Sequence, residues 1–224
     1  MKNAFPRVLL TVALTAFSGS LSVLAADSVP LVIKLPAHTT KGTPEDLPVG
    51  PNIEPPPKTA PAPIQVPAGV KNIAAGKPVK SSVAPYSGEL SQVTDGKREP
   101  YDEDVVEFKK GTQWVQVDLG ESVEIHAIAM WHDHRLLQAF HDCLVQLSDD
   151  PEFKTGVTTA FNNDTDNSSK LGVGTDREYF ELEFGRVVPA KGIKARYARG
   201  YTKGSSLSAI NCWQEIEVYA LPAK

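Results

Sequence analysis

Gln113-Trp-Val-Gln-Val-Asp-Leu-Gly120 is the stretch on which the fold turns. Val115, Val117 and Leu119 alternate with Trp114, Gln116 and Asp118, so a pleated strand sends the first set to one face and the second to the other. A helix would repeat its apolar positions every three or four residues, which this stretch does not do. Gly120 marks the end of the run. The same texture continues outward from it, in short period-two runs at Ile125 to Trp131, Cys143 to Leu147, Val157 to Phe161, Tyr179 to Phe184, Ala195 to Tyr201 and Gln214 to Tyr219. Most are rich in Val, Ile, Tyr, Phe or Trp, and Gly, Asp, Asn or Pro bounds most of them. No stretch holds a 3.6-residue apolar stripe. Many short strands at this spacing predict an all-β sandwich or barrel over residues 71–221.

Upstream the chain changes character twice. Residues 27–70 hold eleven of the eighteen prolines, including Pro55-Pro56-Pro57. Proline fixes φ and lacks an amide donor, so an extended, polyproline-like arm is expected. Two readings stand for it, a flexible spacer or an arm docked through the apolar Leu31-Val-Ile-Lys-Leu35. Residues 1–26 carry Lys2 and Arg7, an apolar run from Val8 to Ala16, and small residues at Val23-Leu-Ala-Ala26. This is the pattern of a cleavable signal peptide. The other reading is an uncleaved anchor, for which the run is short and broken by Ser18, Gly19, Ser20 and Ser22. Cleavage predicts an exported chain (periplasmic, cell-surface or extracellular) with no membrane span in its mature form.

The net charge of −4 and the lack of a Lys/Arg cluster argue against a nucleic-acid partner. Two cysteines, Cys143 and Cys212, are too few for a disulfide scaffold, though export permits one bridge. Glycoside hydrolysis needs paired carboxylates across a cleft, and acyl transfer needs a nucleophile beside a base. No G-x-S-x-G, H-E-x-x-H or phosphate-cradling glycine loop is present, so an enzyme is not expected.

Six motifs resemble one family in order and spacing: Asn72-Ile-Ala-Ala-Gly-Lys-Pro-Val-Lys-Ser-Ser82, Val93-Thr-Asp-Gly96, Gln113 to Gly120, Gln146-Leu-Ser-Asp-Asp-Pro-Glu-Phe153, Ala195-Arg-Tyr-Ala-Arg199 and Glu215-Ile-Glu-Val-Tyr219. The chain from Asn72 to Tyr219 is similar to discoidin domains (coagulation factor 5/8 C-type, galactose-binding-like). That resemblance implies a jelly-roll β-sandwich, not itself catalytic, whose loops at one end bind ligands. Relatives bind glycans, phospholipid headgroups or proteins, and many bacterial ones are carbohydrate-binding modules. It also implies a structural Ca²⁺ between Asp95 and Glu215, with carbonyls of the Gly96 to Tyr101 loop completing the shell. Ca²⁺ takes six to eight oxygens. Lys97 and Arg98 depart from the usual turn and place two cations beside the site; an ordinary turn with solvated charges is the other reading. In the implied jelly roll, loops entering strands gather at one end. Cys143 and Cys212 are therefore candidates for a disulfide, against two buried free thiols.

Trp131-His-Asp-His-Arg135 follows the apolar run from Ile125. If the strand continues, His132 and His134 share a side. Trp131, His132, His134 and Arg135, together with Tyr101, form a candidate glycan platform, with a ring to stack on sugar and donors for its hydroxyls. Same-face histidines also suit zinc, and a structural role for all of them is the third reading. Asn162-Asn-Asp-Thr-Asp-Asn167 is read as a solvated hairpin connection; it lacks the glycine and distal glutamate of a helical calcium loop. The leading expectation is carbohydrate binding, with a glycan or polysaccharide as partner. The alternative is a protein–protein or cell-surface assembly module.

Overall fold

A computed structural model of the chain describes Met1, residues 27–41 and residues 46–222. The signal peptide expected over residues 1–26 lies, Met1 apart, outside the described residues. The strands are β1 (Ser28–Pro30), β2 (Gln65–Pro67), β3 (Lys71–Asn72), β4 (Val79–Ser81), β5 (Val106–Phe108), β6 (Gln113–Trp131), β7 (Ala139–Phe140), β8 (Leu144–Ser148), β9 (Thr158–Asn162), β10 (Tyr179–Phe180), β11 (Arg186–Thr202), β12 (Asn211–Trp213) and β13 (Glu215–Ala220). Every named pair of strands is antiparallel. The only helical elements among the described residues are two 3-10 turns, Leu90–Thr94 and Asp102–Asp104. None is long and apolar enough to cross a membrane.

The two runs expected at 114–119 and 125–131 are halves of one strand. Gly120 sits at a φ of 93°, which only glycine tolerates without strain, and its N–H is held by Asp118 Oδ1 at 2.8 Å. The chain bends there and continues. Opposite the bend, β11 shifts register between Ala195 and Tyr197, and Arg196 grips Asp118 through two bonds of 2.8 and 2.9 Å. The first half of β6 pairs with β4 and the end of β11, and the second half pairs with β13 and the start of β11. β8 and β9 extend the first layer and β3 extends the second. The inner faces of both layers meet in one core that includes Val115, Val117, Val145, Leu147, Ala198, Ile128, Met130, Val188, Ile216 and Val218. This is a two-layered all-β sandwich joined by two long bent strands.

The outer face of the first layer carries a feature the sequence did not announce. The Arg199 guanidinium lies between the rings of Trp114 and Phe153, 4.1 and 3.9 Å from their centroids, and donates to Gln116 and to Pro151 O. Phe153 is delivered by the Asp150 turn, whose carboxylate accepts from the N–H groups of Glu152, Lys154 and Thr155. The residues quoted above at 146–153 are thus a capped turn that lids a buried arginine.

The proline-rich segment lies against the sandwich. β1 pairs with β2, and Leu31 N–H bonds Ile64 O at 2.8 Å. Leu31 and Val66 are buried against Trp131, Ala127, Ala129 and Tyr219 of the second layer. The apolar stretch at Leu31 docks through side chains and through a ribbon with its own segment, rather than as an edge strand of the sandwich.

Candidate functional site

The loop following β6 was expected to present a platform, and the structure corrects that. Trp131 is fully buried under the arm. Its Nε1 donates to Glu183 O at 3.0 Å, and Arg98 stacks over its ring at 5.3 Å. No face of the indole is left for a sugar. The strand ends at Trp131, so the alternation that would set the two histidines on one side does not reach them. His132 is buried and stacked on Phe140 and tilted on Trp213, at 4.5 and 4.6 Å between centroids, with Nδ1 2.8 Å from Glu181 Oε2. His134 is also buried and joins three segments. A carbonyl only accepts, so its Nε2–H donates to Arg98 O at 3.0 Å and its Nδ1 accepts from Thr39 Oγ1 at 3.2 Å. These bonds take both nitrogens of His134 and Nδ1 of His132 and leave His132 Nε2 buried without a partner; among the described residues the two histidines belong to no converging group of three metal ligands. Arg135 forks onto Asp133 with bonds of 2.9 and 2.7 Å, its side chain 35% exposed. Tyr101, on the loop that His134 ties down through Arg98, is 56% exposed. Of the five proposed contacts, Tyr101 and Arg135 remain within reach of solvent.

The turn that follows Asp95 lies against Glu215. Glu215 is buried, and its Oε2 accepts the Gly96 N–H at 3.1 Å. Burial, with Glu217 and Asp95 nearby, pushes its pKa up to about 9, so at neutral pH it holds a proton. Its other oxygen, Oε1, is buried without a hydrogen-bond partner. Five of the six carbonyls of the Gly96 to Tyr101 loop already accept a hydrogen bond. Gly96 O accepts from Arg98 Nη1, Lys97 O from Gln214 Nε2, Arg98 O from His134, Glu99 O from the Tyr101 N–H, and Tyr101 O from the Asp104 N–H. Asp95 itself is occupied by Lys97, through its N–H at 2.9 Å and its ammonium at 3.9 Å. Ca²⁺ needs six or more oxygens turned toward it, and this donor set does not fit it.

Cys143 and Cys212 are free thiols, so the expected bridge does not form. Cys143 lies in the main core, while Cys212 stands opposite Glu107 in the small β5–β12 sheet. Burial pushes both thiols up, Cys212 to about 12. Titration of the denatured, unreduced chain should find two thiols per molecule, and the native protein should react slowly with thiol reagents. No thiols after denaturation would restore the bridge.

The loop at Asn162 to Asn167 is solvated at Thr165 to Asn167, as expected, but buried at Asn162 to Asp164. Asn163 is buried and bonds Cys143 N and Phe140 O, and Asp164 is buried and caps Ser168 and Ser169. Burial works against ionisation of Asp164, but the Ser169 and Ser168 bonds outweigh it and hold the pKa down to about 2. Asp142, Asp164 and Asp166 converge here, with Lys203 Nζ 3.3 Å from Asp142. Under the arm lies a cavity of about 290 Å³, lined mainly by apolar groups such as Leu31, Ile33, Ile64, Phe180 and Val187. Its polar lining includes Tyr179 and the Arg186–Glu54 pair, which is bonded at 2.9 and 3.1 Å.

The strands form a β-sandwich, and the chain is similar to several solved structures. The Clostridium perfringens module CpGH89CBM32-4, in complex with GlcNAc-α-1,4-galactose, is 15% identical; the match covers 69% of this chain and 97% of that one, with a TM-score of 0.48. The lectin domain of lectinolysin complexed with Lewis B antigen is 19% identical, with coverages of 67% and 96% and a TM-score of 0.47. A Streptococcus pneumoniae fucose-binding module is 14% identical, with coverages of 68% and 99% and a TM-score of 0.45. No protein-family model and no curated protein matches the sequence.

Proposed function

We propose that this chain is an exported, non-catalytic carbohydrate-binding protein that holds its ligand at the loop end of the sandwich, with Tyr101 as the stacking ring. The observation that carries the reading is the exposed Tyr101 ring on a loop braced against the Asp133–Arg135 pair's loop by the His134–Arg98 bond. A phenol with one free face supplies apolar stacking, while guanidinium and carboxylate supply donors and acceptors for hydroxyls. Leu136, 53% exposed, adds apolar surface on the same loop as Arg135. The six discoidin-like motifs support the reading, and the signal-like start supports export.

Tyr101→Ala is expected to weaken glycan binding by about 1–3 kcal/mol, roughly ten- to hundredfold, with the melting temperature unchanged. Titration calorimetry against the best ligand of a glycan panel measures it. Affinity unchanged in that variant would remove Tyr101 from the site.

A further inference from the structure

Glu215 and Glu217 lie two residues apart on β13, hence on the same face, and both are buried. With Glu215 protonated, the charge of the pair rests on Glu217 and needs a counter-charge, because a buried charge without one is strongly destabilising. The 95–104 turn brings that charge. Arg98 Nη2 donates to Glu217 Oε1, Nη1 donates to Gly96 O at 3.3 Å, and the guanidinium plane is carried over the Trp131 ring. The remaining Glu217 oxygen accepts from the Tyr219 hydroxyl at 2.6 Å. Lys97 is spent on Asp104, with Nζ 2.6 Å from Oδ1.

We propose that Arg98 is the resident cation of this turn, filling for the Glu215–Glu217 pair the place that the resemblance assigns to calcium, and that the sandwich takes up no calcium there. The geometry explains why an arginine serves. Its planar fork reaches a carboxylate and a carbonyl together and stacks on an indole, which a lysine ammonium does not reproduce. A divalent ion brought beside that fixed guanidinium meets repulsion in a poorly hydrated setting. It also finds five of the six carbonyls from Gly96 to Tyr101 already bonded to N–H groups.

The test is thermal melting of the full chain in millimolar CaCl₂ and in chelator, for the natural sequence, Arg98→Met and Arg98→Lys. The natural midpoint is expected to be the same in both buffers. Arg98→Met is expected to fall by several degrees in both, with Arg98→Lys between. A natural midpoint that rises with calcium and stops rising in Glu215→Gln overturns the proposal, as does an Arg98→Met midpoint equal to the natural one. If Arg98→Met does not fold, calorimetric titration of the natural chain with CaCl₂ decides. No binding, or binding that Glu215→Gln retains, supports Arg98 as this turn's cation, and saturable binding that Glu215→Gln abolishes overturns it.

Discussion

Trp131→Ala is expected to destabilise the domain by about 3–5 kcal/mol and to loosen the proline-rich arm. The indole is the meeting point of three parts of the chain. The arm packs on it through Leu31 and Val66, Glu183 accepts its N–H, and Arg98 stacks on its face. Truncation leaves a cavity beneath the arm and removes the ring that positions Arg98. Urea unfolding reads the stability loss as a lowered midpoint, and limited proteolysis reads the arm as new cleavage within residues 27–70. A variant with natural stability and weakened glycan binding would instead return Trp131 to the ligand site.

Glu215→Gln is expected to stabilise the domain at neutral and alkaline pH and to remove a pH dependence. The folded chain holds the Glu215 proton up to about pH 9, against an ordinary carboxyl value of 4.5. Between those values the unfolded chain has released the proton and the folded chain has not. The folded form therefore loses about 1.4 kcal/mol per pH unit relative to the unfolded. The loss is absent below the ordinary value, amounts to about 3 kcal/mol at neutral pH, and stops growing above pH 9. Glutamine resembles the protonated acid in shape and has no proton to lose. Stability curves from pH 5 to 9 should slope downward more steeply for the natural chain than for the variant. Parallel curves would mean that Glu215 is ionised in the folded protein.

What was legible in the sequence was the part governed by local periodicity. Val115, Val117 and Leu119 declared their inward face, and all three are buried. Gly120 was visible as a boundary, yet it is a bend inside one strand, because the pairing that carries β6 onward belongs to β11 and β13. The candidate site was less legible because its accessibility is set by segments distant in the chain. Nothing near Trp131 reveals that Leu31 and Val66 return to cover it. Nothing near His132 reveals Glu181, 49 residues on. In the sequence Arg98 is only a cation beside a turn carboxylate, while Glu217 and Trp131, which give it a purpose, are placed there only by the fold. Arg199 between Trp114 and Phe153 was hidden for the same reason: its partners sit on β6 and on the loop after β8.

The most direct test of the proposed function is a glycan array probed with the mature chain and with Tyr101→Ala, both shown by melting to be folded. The loop-end reading predicts selective retention on a group of related glycans by the natural chain, with that retention lost in the variant. A folded natural chain that retains no glycan, or one whose retention survives Tyr101→Ala, would contradict it.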